Sequence, residues 1–270
     1  MLGLIGLDFD GTLLRSDRTV SERTNAALDL AADMGWVVVG ATGRSLELAQ
    51  PIADMVPSMS YLACANGSLV VDRRTGVVCL DSLVETPAIV AAASRVRATL
   101  PSVRLGFDLA DGSLIWERGF ERFMSLRKLD DPAEDGLAAL LALAPRAVRK
   151  MIAVDSAIDP HDLVAVLVDA LGVVADGLRV AHSGLPFVEI GAPGVSKASA
   201  LAWLAQHLGI ESRSCVVFGD EVNDHEMLTW AGTGVAMGNA GEVTKSIADH
   251  VTASNDLDGV AAFLESALFS

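Results

Sequence analysis

Three short apolar runs in this chain each close on polar groups. MLGLIGLDFD ends in Asp8 and Asp10, WVVVGATGR in Thr42 and Arg44, and CVVFGD in Asp220. An apolar run of that length suits a strand buried on both faces, as in a parallel sheet, which then delivers polar groups at its C-terminal end. Between the first two runs, Thr19–Met34 has helical periodicity, with Ser21 or Thr19 as cap and Gly35 as stop. Ser45–Val56 reads as a second helix, and YLACANGSLVVD and GVVCLDS as further short strands around the turn-rich DRRTG. Strands alternating with helices predict an α/β fold, with helices on both faces of a parallel sheet.

The rhythm changes near Leu83. Helix Thr86–Leu100 is followed by strands Val103–Leu109, Ser113–Glu117 and Ala147–Asp155. Helix Pro160–Leu171 and strands Val173–His182 and Phe187–Ile190 complete a segment that reads as an α+β module with an antiparallel sheet. APG at Ala192–Gly194 reads as a linker. Beyond it the βα rhythm returns, with helices Lys197–Leu208, Asp224–Ala231, Glu242–Ala248 and Gly259–Leu268 around CVVFGD and GVAMGNA. The expected organisation is a discontinuous, Rossmann-like doubly wound core, residues 1–82 and 193–270, with an inserted α+β domain, residues 83–192.

Composition narrows the partners. The formal net charge is −15 over 270 residues, and nucleic-acid binding needs the opposite excess, so no nucleic-acid partner is expected. No apolar run approaches the roughly 20 residues of a membrane span, and Asp8 cuts the first apolar run short of a signal peptide. Cys64, Cys79 and Cys215 are odd in number and scattered, which suits neither a disulfide framework nor a CxxC metal site. A cytoplasmic protein without membrane partners is expected.

Four elements carry chemistry. Asp8 and Asp10 alternate at a strand end, so both carboxylates can face one spot. Paired carboxylates repel unless a hard cation, Mg²⁺ above all, lies between them. Taken alone, DFDGT also reads as the ordinary Asp and Gly of a strand-to-loop junction. Thr42 and Gly43 combine a hydroxyl with backbone amides at a helix entry, a phosphate-sized anion site or simply a helix-entry loop. Lys197 stands in the first turn of a helix capped by Ser196, the wrong sign for the helix dipole, which reads either as a functional group or as a tolerated surface lysine. Asp220, Asn223 and Asp224, with Glu221 beside them, cluster at another strand end, where open α/β sheets bind ligands.

In this order and spacing, DFDGT, ATGR, SK and GDEVND resemble the four motifs of the haloacid dehalogenase-like hydrolase superfamily. CANGS, FVEIGAPGVSKASAL and VAMGNAGEVTKSIADHVTASNDLDGVA are similar to its Cof-type subfamily with a type IIB cap. The resemblance implies a phosphatase acting on a small phosphorylated metabolite, a sugar phosphate or similar phosphomonoester. Asp8 would be the nucleophile, forming an aspartyl-phosphate, and Asp10 the general acid/base. Thr42, Gly43, Lys197 and Asn223 would bind the phosphoryl group. Mg²⁺ would be held by Asp8, the main-chain carbonyl of Asp10, Asp220 and Asp224. The insert would be the cap. Among its residues Arg118, Arg122, Arg127, Lys128 and Lys150 are candidates to touch substrate, and Trp116, Phe120 and Phe123 read as packing. Ala198 and Phe9 replace the family's usual Gly and Leu without removing a catalytic group. Two alternatives accompany this reading, a phosphomutase of the same fold and a non-catalytic phospho-ligand binding module.

Overall fold

The structure is a computed structural model that describes residues 3–120, 133–142, 147–182 and 187–268. Arg122, Phe123, Arg127 and Lys128 lie outside the described residues. In chain order the elements begin with β1 (Gly3–Leu7), α1 (Glu22–Asp33), β2 (Trp36–Ala41), α2 (Leu46–Ala53), β3 (Met59–Cys64), β4 (Leu69–Asp72) and β5 (Val78–Asp81). They continue with α3 (Thr86–Thr99), β6 (Arg104–Leu109), β7 (Leu114–Trp116), α4 (Gly136–Ala142), β8 (Val148–Val154), α5 (Pro160–Leu171), β9 (Arg179–His182) and β10 (Val188–Gly191). The last are α6 (Lys197–His207), β11 (Cys215–Gly219), α7 (His225–Trp230), β12 (Thr233–Ala236), α8 (Glu242–Ile247), β13 (His250–Val251) and α9 (Gly259–Ala267).

Two compact units result, Met1–Asp81 with Ser196–Ser270, and Ser82–Val195. The sequence reading set the boundaries at 82/83 and 192/193. The second differs for a packing reason: Ala192 is buried in the apolar cluster of the second unit and Val195 packs against it, whereas Ser196 caps α6.

In the first unit the described strands form an eight-stranded sheet ordered β13-β12-β11-β1-β2-β3-β4-β5. Its body is parallel, with β1 between β11 and β2. That agrees with the expected parallel sheet; at one edge β4 adds an antiparallel pairing to both β3 and β5. Those strands follow one another through short turns, and a parallel pairing would need a crossover of a dozen residues that this stretch lacks. Alternation along β1 sets the layers. Ile5 and Leu7 pack with Leu28, Ile52 and Leu264 of α1, α2 and α9. Leu4 packs on the other face with Leu201 and Leu204 of α6 and Met227 of α7. Each such buried side chain contributes about 1.5–3 kcal/mol, so packing on both faces holds these short helices more than intrinsic propensity does.

The second unit has a five-stranded antiparallel sheet ordered β7-β6-β8-β10-β9 among the described residues. Helices α3 and α5 cover one face through Ile89, Val96, Leu163 and Leu167. Trp116, Phe120, Ile152, Val154 and Phe187 cluster together as a separate core. Two expectations are corrected here. Val173–His182 is not one strand: Gly172–Gly177 is 3₁₀ helix and only Arg179–His182 is β9. The turn starts at Gly172, whose φ of +53° ends α5 and redirects the chain. Lys150 is not free to meet substrate. It is buried and paired with Glu189 on the neighbouring strand, because register sets both side chains on one face. Arg118 is exposed. Among the described residues no helix is long and apolar enough to cross a membrane.

Candidate active site

The parallel strands β1, β2 and β11 all end at one edge of the first sheet, and the polar residues stand just beyond them. The Asp8 amide donates to the Phe218 carbonyl at 3.1 Å, carrying the β1–β11 pairing one residue past the strand. Phe9 then buries its ring completely. Gly11 turns the chain with φ +76°, and any side chain there would put its Cβ 2.1 Å from Asp220 Oδ2. Only glycine fits.

Asp8, Asp220 and Asp224 meet although 216 positions separate the first from the last. They are all buried, and one carboxylate oxygen from each lies within 4.8 Å of the others. Asp224 is held most tightly. Its Oδ2 accepts from the Asp220 and Glu221 amides, both at 3.0 Å, and its Oδ1 accepts from Lys197 Nζ at 2.7 Å. Asp220 Oδ1 accepts from Thr12 Oγ1 at 2.8 Å. Lys197 is the first residue of α6, behind a reciprocal Ser196–Ser199 capping box, and only 1% of it is exposed. Its Nζ also donates to Asp8 Oδ1 at 2.6 Å. The unfavourable position of Lys197 at a helix N-terminus is thus explained by two carboxylates.

One ammonium faces three carboxylates, and the titration directions follow from that imbalance. Burial raises Asp8 well above the usual carboxylate range; Asp224 and Asp220 add to this, and Lys197 only partly opposes it. Burial likewise pushes Asp220 up to about 7, with Asp224 adding to the effect and the Thr12 hydrogen bond working against it. Burial alone would lower the Lys197 ammonium, but Asp224 and Asp8 outweigh it and hold the group above its ordinary value. A buried cluster with surplus negative charge and only oxygen donors fits a hard divalent cation.

The remaining expected site residues form a second set. Asp10 turns its carboxylate to Arg44, which holds it with Nε at 2.8 Å and Nη2 at 2.5 Å. Thr42 is buried at the end of β2, where its Oγ1 accepts the Arg44 amide at 3.2 Å. Asn223, in the 3₁₀ turn Val222–Asp224, donates through Nδ2 to Asn66 Oδ1 at 3.2 Å. Gly43 lies between Thr42 and Arg44, partly exposed.

Sequence reasoning gave no role to Thr12, Asn66 or Asn239. Asn239 Nδ2 donates to the Gly11 carbonyl at 2.8 Å and reaches Asp220 Oδ2 at 3.5 Å. Asn66 belongs to three successive left-handed residues, Ala65 (φ +51°), Asn66 (+53°) and Gly67 (+96°). That conformation costs a non-glycine residue roughly 1–2 kcal/mol. The loop ties the strand ends together: the Asn66 amide donates to the Thr42 carbonyl at 2.9 Å and the Ala65 amide to the Arg44 carbonyl at 2.8 Å. A Cβ at position 67 would sit 2.1 Å from the Ser196 carbonyl oxygen. The signal available was the CANGS run itself, but its partners are remote in the chain.

A family profile described as haloacid dehalogenase-like hydrolase matches residues 5–264, and the chain belongs to that family, as its motifs led us to expect. It is 28% identical over 262 residues to 5-amino-6-(5-phospho-D-ribitylamino)uracil phosphatase YcsE of Bacillus subtilis, covering 96% of this chain and 92% of that protein. It is 30% identical over 251 residues to an HMP-PP phosphatase of Serratia proteamaculans, covering 92% and 88%. Among solved structures, a sugar phosphatase of HAD subclass IIB superposes with a TM-score of 0.81 over 98% of both chains. At 21% identity it speaks to the fold alone.

Proposed function

We propose that the chain is a Mg²⁺-dependent phosphatase that hydrolyses small phosphomonoesters through an aspartyl-phosphate on Asp8. The observation that carries this reading is the buried cluster of Asp8, Asp220 and Asp224 around Lys197. A carboxylate nucleophile must be ionised, and burial disfavours that for Asp8. Asp8, the Asp10 main-chain carbonyl, Asp220 and Asp224, the last directly or through water, would hold the ion. Bound there, it would supply positive charge that keeps the carboxylates ionised and offsets the charge of the phosphoryl oxygens.

The chain's own residues account for the rest. An Asp8 oxygen attacks phosphorus in line. The bond from phosphorus to the leaving oxygen breaks with its electron pair, and that oxygen takes a proton from Asp10. Water then attacks the phosphorus, giving its proton to the Asp10 carboxylate. The bond to Asp8 breaks and inorganic phosphate leaves. Lys197 stabilises the equatorial oxygens with Thr42 Oγ1, the Gly43 amide and Asn223, which is where phosphoryl transfer needs most help. The second unit we read as the cap that selects the leaving group.

The relatives' substrates direct the assay, since one carries a phosphorylated ribityl chain by its name. Incubation with a panel of sugar and polyol phosphates should release inorganic phosphate, seen by ³¹P NMR, only when Mg²⁺ is present. Phosphoryl groups retained on an organic product would instead indicate a mutase. Binding of the panel without turnover would end the enzymatic reading.

A further inference from the structure

We infer that Arg44 is a positioning residue for the acid/base, holding the Asp10 carboxylate in the orientation from which it passes its proton. This rests on the role proposed for Asp10. That side chain follows the end of β1 and precedes Gly11, where the backbone turns, and about half of it (46%) is exposed. Its own segment gives that carboxylate no side-chain hydrogen bond. Arg44 holds it from the end of β2, 34 residues away: Nε engages Oδ2 and Nη2 engages Oδ1, a two-pronged contact that sets both the place and the plane of the carboxylate. A single-point donor such as lysine sets neither.

Arg44 is itself well anchored. Its side chain is only 10% exposed. Its amide donates to Thr42 Oγ1 and its carbonyl accepts from Ala65, the first residue of the left-handed Ala65–Gly67 turn. The strained turn therefore has a physical consequence: it holds the backbone of the residue that aims the acid. Thr42 stands beside the phosphoryl group in the proposed mechanism and Arg44 holds the acid that serves the leaving oxygen, so one short loop acts on both ends of the breaking bond.

A weakly basic leaving group departs without a proton, whereas a strongly basic one needs it. Loss of positioning therefore falls on poor leaving groups. The test measures kcat and KM for a series of substituted phenyl phosphates, from nitrophenyl to unsubstituted phenyl, with Mg²⁺ present. Arg44→Gln and Arg44→Lys should each lose kcat for phenyl phosphate at least about tenfold more than for nitrophenyl phosphate, within the roughly 10²–10⁴ that general acid help supplies. Lysine keeps the charge and most of the bulk, which guards against misfolding, and circular-dichroism melting checks both variants. In an Asp10→Asn background Arg44→Gln should add less than about twofold, because positioning an absent acid gains nothing.

Equal losses across the series would overturn the inference, as would full additivity with Asp10→Asn. Weaker inhibition by inorganic phosphate in the Arg44 variants would overturn it too, placing Arg44 on the phosphoryl group instead. If Asp10→Asn shows the leaving-group effect and the Arg44 variants do not, Arg44 alone is misassigned. If Asp10→Asn shows none, the acid/base role falls and the inference falls with it.

Discussion

Lys197 shows how much one side chain decides in this molecule. Among the described residues it is the single ammonium in contact with Asp8 and Asp224, and it is as buried as they are. Removing one partner of a buried ion pair costs about 3–5 kcal/mol. Lys197→Met should therefore lose activity and several kcal/mol of stability in urea unfolding at pH 8, with a smaller loss at pH 6, where protonation relieves the carboxylates. Asp8→Asn should behave in the opposite way. It removes surplus negative charge, so turnover is abolished while the melting temperature of the metal-free protein holds or rises. Activity persisting in Asp8→Asn would exclude it as nucleophile.

Asp220 adds a pH dependence with a definite sign. Its pKa in the fold is about 7, above the 3.8 of an unperturbed aspartate. The folded state thus binds the proton more tightly than the unfolded state, and stability declines as pH rises through about 7. Asp8 acts in the same direction. Metal-free protein followed by scanning fluorimetry should melt lower at pH 8 than at pH 6, and Mg²⁺ should flatten that slope. A melting temperature that climbs with pH in the absence of metal would contradict this electrostatic account.

At the scale of elements, the site depends on strand ends meeting short turns with no room to spare. Gly67 is the sharpest case, with a left-handed φ and the Ser196 carbonyl where a Cβ would go. Gly67→Ala should cost more than the roughly 1 kcal/mol of an ordinary glycine replacement at positive φ, because the start of α6 must also move. Lys197 sits on that first turn, so kcat should fall with the melting temperature. The capping box at Ser196 acts on the same turn, and Ser196→Ala should remove about 1 kcal/mol. Much of this element pattern was legible. The apolar runs of β1, β2 and β11 and the cap of α1 at Ser21 follow from periodicity and capping chemistry, which act over a few residues. Helix α4 and the 3₁₀ turn Gly172–Gly177 were missed, since Val173 and Val174 have strand propensity that the turn begun at Gly172 overrides.

For the whole molecule, the three carboxylates of the acidic cluster and Lys197 belong to one unit and the second unit has its own apolar core. Leu167→Ala, at a fully buried position of α5, should therefore cost roughly 2–5 kcal/mol of stability. Mg²⁺ affinity measured by titration calorimetry should stay at the wild-type value; a matching loss of affinity would show that the acidic cluster depends on the second unit. Local chemistry along the chain was enough to read the alternating elements and the interruption near Leu83 and to single out Asp8, Lys197, Asp220 and Asp224 as candidates, whose roles came only from the family resemblance. What only the folded chain decided is who meets whom: Thr12 on Asp220 across 208 residues, Asn223 on Asn66 across 157, Arg44 on Asp10. Propensity and periodicity reach no further than a turn or two, whereas these pairings depend on strand order and on which side chains the sheet edge leaves facing each other.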